Sequence, residues 1–217
     1  MPYGWQTLLI DAFYETIFMV GVSGLIAFLI GLPLAVLLVV TAPSGVRPIA
    51  AINQPIGWVV NGFRSTPFII LLVALIPFTR LIVGTSIGMW AAIVPLSIAA
   101  APFFARIAEV SLREVDPGLI EAADAFGASR WQIIRHVLLP EAMPGIVGGF
   151  TITLVSMINS SAIAGAVGAG GLGDLAMKYG YQRFNTTVMA VVIAILIVVV
   201  TIVQWSGDRL ARSLDRH

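Results

Sequence analysis

The chain contains no cysteine, which excludes disulfides, thiolate metal sites and a cysteine nucleophile. Its single lysine, Lys178, follows Met177, and no G-x-x-x-x-G-K-[ST] loop is present. The phosphate cradle of an ATPase is therefore missing, and the chain is not expected to bind or hydrolyse ATP by itself. Its two histidines, His136 and His217, lie in charged segments, and no His/Asp/Glu cluster has metal-ligand spacing. Glu121 and Glu141 are too dispersed to form a hydrolytic carboxylate pair. No catalytic residue, metal or cofactor is expected. Charge is scarce as well. Only 11% of the 217 residues are Asp, Glu, Lys or Arg, against about 25% in soluble domains. A net charge of +1 gives no argument for nucleic acid as a partner. No basic region precedes the first apolar run and no small-residue cleavage site follows it, so a cleaved signal peptide is not expected.

What is present is apolar. Hydrophobic residues make up 59% of the chain, and mean hydropathy is +0.98. That much apolar surface calls for a bilayer as solvent. Residues 16–46, 81–105, 142–173 and 184–207 carry no charge, and about 55–80 contain only Arg64. Each gap exceeds the roughly 20 residues that a spanning helix needs. The reading is an all-α membrane protein with five spans, near 16–40, 56–79, 88–106, 142–163 and 186–207. Continuously apolar segments argue for helices rather than barrel strands. With the N-terminus outside, nine basic residues fall on the inner side, and Arg80, Lys178 and Arg183 on the outer side. The positive-inside rule favours that orientation and a cytoplasmic C-terminus. The long loop of about 107–138 is then cytoplasmic.

Several residues inside these spans carry two readings. Arg64, about two turns into the second span, either snorkels to the inner interface or lines a path as a bundle-facing cation. Thr151, Thr153, Ser156, Asn159, Ser160 and Ser161 give the fourth span a polar content that serves helix–helix hydrogen bonds or a pathway. Of these, Asn159, Ser160 and Ser161 sit where an outer gate could lie. Gly145-x-x-x-Gly149 reads as close helix packing, and Trp58, Trp90 and Trp205 as interfacial anchors. Gly165–Gly173 follows a span rather than a strand, so it is no dinucleotide loop. It reads as a flexible outer loop, with a gate facing a solute-delivering protein as the functional alternative. The interiors of spans one, three, four and five hold no ionisable residue, which counts against an ion-coupled secondary transporter.

One charged island stands out. Asp116 before Pro117 is a helix start, with an N-cap and a proline at the first helical position. Leu119-Ile120 and Ala122-Ala123 give that helix an apolar face, and Gly127 ends it. A second helix begins at Ser129-x-x-Gln132, a capping box, and runs to Leu139-Pro140. Small alanines, a polar anchor in Glu121 and a glycine bend are the residue types of a docking surface. An ordinary interfacial amphipathic helix is the plainer alternative.

The pattern Glu121-Ala122-Ala123-x3-Gly127-x9-Val137-x-Leu139-Pro140 resembles the E-A-A loop of ABC-importer permeases of the type I fold, with Val137 where that family usually has Ile. The resemblance covers about residues 13–207 as one transmembrane domain. It implies a permease dimer, two separate ATP-binding subunits that hydrolyse ATP, and an extracytoplasmic solute-binding protein, all at a bacterial inner membrane. It places Glu121, Ala122, Ala123, Gly127, Leu139 and Pro140 on the coupling surface. More narrowly, Phe63–Leu72, Ile76–Arg80, Val83–Gly88, Ala101-Pro102-Phe103 and Gly165–Gly173 resemble methionine-importer permeases, for D- and L-methionine. Another amino acid or small solute, and a channel or scaffold with no ATPase, remain the alternatives.

Overall fold

The computed structural model describes residues 5–215. Arg216 and His217 lie outside the described residues. Within them all regular structure is helical. Four stretches are long and apolar enough to cross a membrane: 7–41, 89–113, 130–169 and 186–214. A fifth crossing is available only by joining two helices bent by 106°.

The first helix, α1 (Trp5–Thr41), has 37 residues. At 1.5 Å per residue it is about 55 Å long, well beyond the roughly 30 Å of a hydrocarbon core. It starts eleven residues before the expected span, so Asp11 and Glu15 belong to the helix rather than to a preceding tail. Its far end is closed from outside. Asn53 Nδ2 donates to the Leu38 carbonyl (2.7 Å) and to Thr41 Oγ1 (3.1 Å), satisfying groups that a helix end leaves open.

The second span departs most from expectation. Instead of one helix over 56–79, the chain forms α2 (Ala50–Ser65), α3 (Phe68–Ala74) and α4 (Ile76–Val83). The cause of the break is local. Pro67 drives Thr66 into extended backbone (φ −86°, ψ 123°). Pro67 also has no N–H to continue the ladder. Pro77 then stands in the first turn of α4, and Gly84, at φ +82°, ends it in a left-handed conformation suited to glycine.

The central element is α5 (Met89–Arg113), whose spanning window is 67% buried, the highest of the four long stretches. It packs on α1 and on α8 (Leu139–Ala164). Gly145 and Gly149 of α8 face Ser111 and Ile107 of α5, so that spaced pair is a packing surface within the chain. Phe28, Phe104 and Phe150 join the three helices, with ring centroids 5.2 to 5.5 Å apart. Helix α10 (Thr186–Leu214) is the most apolar, with mean hydropathy 3.0, and only 17% of its window is buried. An apolar, uncovered helix suits contact with lipid.

Where a loop was expected at its cytoplasmic end, α5 carries a closed ion cluster. Glu109 is 2% exposed and accepts from Arg106 Nη1 (2.7 Å) and from Arg113 Nη2 (2.7 Å). The two guanidiniums are 40% and 49% exposed, so the buried partner is the acid. Removing both bases strands that carboxylate at a cost of about 3–5 kcal/mol. Removing the acid leaves two cations that water can reach. We therefore expect the Arg106→Ala/Arg113→Ala pair to lower the unfolding temperature of the purified chain more than Glu109→Gln does. The reverse order in a thermal melt would show that the cluster is not buried as described.

Candidate functional site

Two regions carry functional side chains. The first is the island. Asp116 caps α6 (Pro117–Ala125) by accepting from the Gly118 N–H at 2.8 Å, and Pro117 fits the first turn because its missing N–H would be unbonded anyway. Gly127 follows at φ +75°, a conformation that glycine alone adopts without strain. Ser129 and Gln132 close a reciprocal cap on α7 (Arg130–Ile133), with Ser129 N–H donating to Gln132 Oε1 at 2.7 Å.

From Arg130 the backbone stays helical through Ala164. Over Ile134–Leu138 it widens to a π-helical turn, in which the Leu139 N–H bonds to the Ile134 carbonyl five residues back. Pro140 explains the widening. It brings no N–H, and its ring would crowd the carbonyl four residues before it in a regular α-helix. The result is one rod from the island into the bundle.

No residue of α6 is buried. Glu121 and Ala122 are exposed and Ala123 is half-buried. Ile120 turns inward onto a core cluster with Leu138, Leu139, Ala142, Ile146 and Phe104. That cluster ties the helix mechanically to both α8 and α5. Leu139 belongs to this inner packing, and Pro140 is exposed at the start of α8, so neither shares the outer face of α6. The island also carries two large aromatics just past α6, at its C-cap and in α7. Phe126 is 93% exposed and Trp131 64%. Two uncovered aromatics near Glu121 in the chain are visible in the sequence as large apolar residues within a charged loop. Glu121 also lines a cavity of about 440 Å³ behind α6 with Arg113, Val39 and Leu138.

The second region is an open groove on the bundle, in which Arg64 and Phe63 are exposed and Ser156 and Ser160 half-buried. Arg64 occupies the last turn of α2, just before the 106° bend. It lines a cavity of about 170 Å³ with Thr66, Thr153, Ser156 and Ser160, under Phe63, Phe68 and Phe103. So Arg64 and Ser160 come together, whereas Asn159 is exposed elsewhere and Ser161 is buried with its hydroxyl on the Ile158 carbonyl at 2.7 Å.

The glycine stretch is ordered and packed, which corrects the flexible-loop expectation. It kinks at Val167 and Gly168, whose backbone leaves the helical region (φ −109° and +97°), and resumes as α9 (Gly171–Leu175), with Gly165, Gly171, Leu172 and Gly173 buried. Glu15 Oε2 accepts from the Gly171 N–H at 2.6 Å and Thr16 Oγ1 from the Leu172 N–H at 2.8 Å. The Gly88 N–H donates to the Gly168 carbonyl at 2.9 Å. Beyond it, Asp174 pairs with Lys178 at 2.8 Å, and this hydrogen bond and charge raise the ammonium above its ordinary value of 10.5. A raised lysine favours the folded form at neutral pH and loses that contribution only in strong alkali.

A family model described as a binding-protein-dependent transport system inner membrane component matches residues 5–216. A Vibrio cholerae protein named probable D-methionine transport system permease protein MetI is 51% identical over 210 residues, covering 97% of this chain and 93% of the relative. The methionine import system permease protein MetP of Bacillus subtilis is 46% identical over 211 residues, covering 97% and 95%. A crystal structure of the MetNI methionine ABC transporter in inward-facing conformations matches with a TM-score of 0.97 at 51% identity over 100% of both chains.

Proposed function

The chain belongs to the family of binding-protein-dependent transport system inner membrane components, a multi-pass inner-membrane permease family, and from that premise we propose that it is the permease of an ATP-driven importer of D- and L-methionine. The observation that carries the solute is the end-to-end likeness to permeases named for methionine. The chain itself is not an enzyme. It forms the pathway as a homodimer. Two ATP-binding subunits hydrolyse ATP beneath it, and an extracytoplasmic binding protein delivers the solute. The N-terminus faces outward and the C-terminus the cytoplasm, in keeping with the excess of arginine around the island.

In this reading α6 sits in a groove on the ATPase. Glu121 supplies the polar anchor, and Phe126 and Trp131 the buried aromatic contacts that interfaces favour. Motion of α6 reaches the bundle through Ile120 and the Leu138–Ile146 cluster, and along the rod that begins at Arg130. A close-packed contact of this kind transmits displacement because it has little room to yield. The test is uptake of labelled D- and L-methionine by cells that lack every other methionine importer, with and without this chain. ATP-dependent uptake restored by the chain is expected. Unchanged uptake would remove methionine as the solute.

A further inference from the structure

We propose that the Arg64 guanidinium, with the Ser156 and Ser160 hydroxyls, is a subsite for the α-carboxylate of the transported amino acid at mid-depth in the membrane. This inference rests on the importer reading above and adds the chemistry of the pathway.

Depth comes first. The cavity is walled by Leu96–Phe103 of α5 and Thr153–Ser160 of α8. At 1.5 Å per residue, that wall lies about 10 to 21 Å from the Met89 end of α5, the middle of a helix of 25 residues. A cation held there, rather than at an interface, faces a cavity or a pathway and needs a counter-charge.

The described residues supply none. The acids within the bundle are committed: Glu15 to the Gly171 N–H, Glu109 to Arg106 and Arg113, and Asp174 to Lys178. The others stand at helix ends or in the island.

The hydroxyls tell the same story. Thr151, Thr153, Ser161, Thr201 and Ser206 each donate back to a carbonyl of their own helix. Ser156 and Ser160 hydrogen-bond to no described residue, and both line the cavity beside Arg64. They are four residues apart on α8, hence on one face. A guanidinium fork and two free hydroxyls suit a carboxylate, which guanidinium binds in bidentate fashion. Around them, Phe63, Phe68, Phe103 and Met157 present an apolar wall, matched to a thioether side chain. The cavity therefore matches a carboxylate joined to an apolar tail.

The experiment is uptake of labelled L-methionine into liposomes holding the assembled permease, its ATPase and saturating binding protein, with the amount of assembled complex measured in each preparation. Arg64→Gln is expected to lower uptake per complex about tenfold or more, the loss of a charge-assisted hydrogen-bonded contact. Arg64→Lys keeps the charge but loses the fork, and is expected to recover only part of it. Ser156→Ala/Ser160→Ala is expected to lower uptake by a smaller factor. Uptake by Arg64→Gln within about twofold of the parent chain would overturn the subsite. So would Arg64→Lys as inactive as Arg64→Gln, or a loss of assembled complex that accounts for the loss of uptake. No uptake by the parent chain would instead sink the methionine reading, and the subsite with it.

Discussion

Replacing Glu121 with lysine is expected to leave the chain folded and inserted but to detach it from its ATPase. Glu121 is exposed, so its loss disturbs no packing. A reversed charge at the anchor of a docking surface costs about 2–4 kcal/mol, or about 30- to 1,000-fold in affinity. Co-purification of the ATPase should fall accordingly, and uptake with it. Phe126→Ala should act in the same direction, because a side chain 93% exposed in the chain alone contributes only when a partner covers it. Full co-purification with the Glu121→Lys chain would remove α6 as the docking element.

A second large effect is expected at Gly173. A Cβ built there meets the carbonyl oxygen and Cα of Ala162, both backbone atoms of α8. Backbone cannot swing aside as a side chain can, so α9 must move off α8. Overpacking alone costs about 1–3 kcal/mol, and a valine adds two methyl groups to that clash. Gly173→Val is therefore expected to abolish uptake while α6, on the opposite side of the bundle, still binds the ATPase. Glu15→Ala removes one hydrogen bond to the same segment and should cost only about 1–3 kcal/mol, leaving measurable uptake. Normal uptake by Gly173→Val would show that the close α8–α9 contact is not needed for transport.

The uncharged intervals located four spanning helices because lipid-facing and core-facing turns are both apolar, so burial need not be known to find them. The start and end of α6 were also legible, since Asp116-Pro117 and Gly127 act through their own backbone. What escaped was tertiary. Pro67 interrupts the helical ladder by its own chemistry, but nothing local foretells a 106° turn. Asn53 offers no sign that it closes α1. The Glu15–Gly171 bond joins residues 156 apart, beyond any local pattern, and so the glycine stretch looked loose. Glu109 was the recoverable omission, because arginines three residues before and four after it share one helical face. Arg64 and Ser160 were each named from sequence, but only the fold sets them on one cavity.

The most direct test of the account is ATP-dependent accumulation of labelled methionine in liposomes containing this chain, the ATPase and the binding protein. Accumulation that requires ATP, and that disappears with Glu121→Lys while the binding protein stays loaded, is the predicted result. Accumulation without ATP, or unaffected by Glu121→Lys, would contradict it.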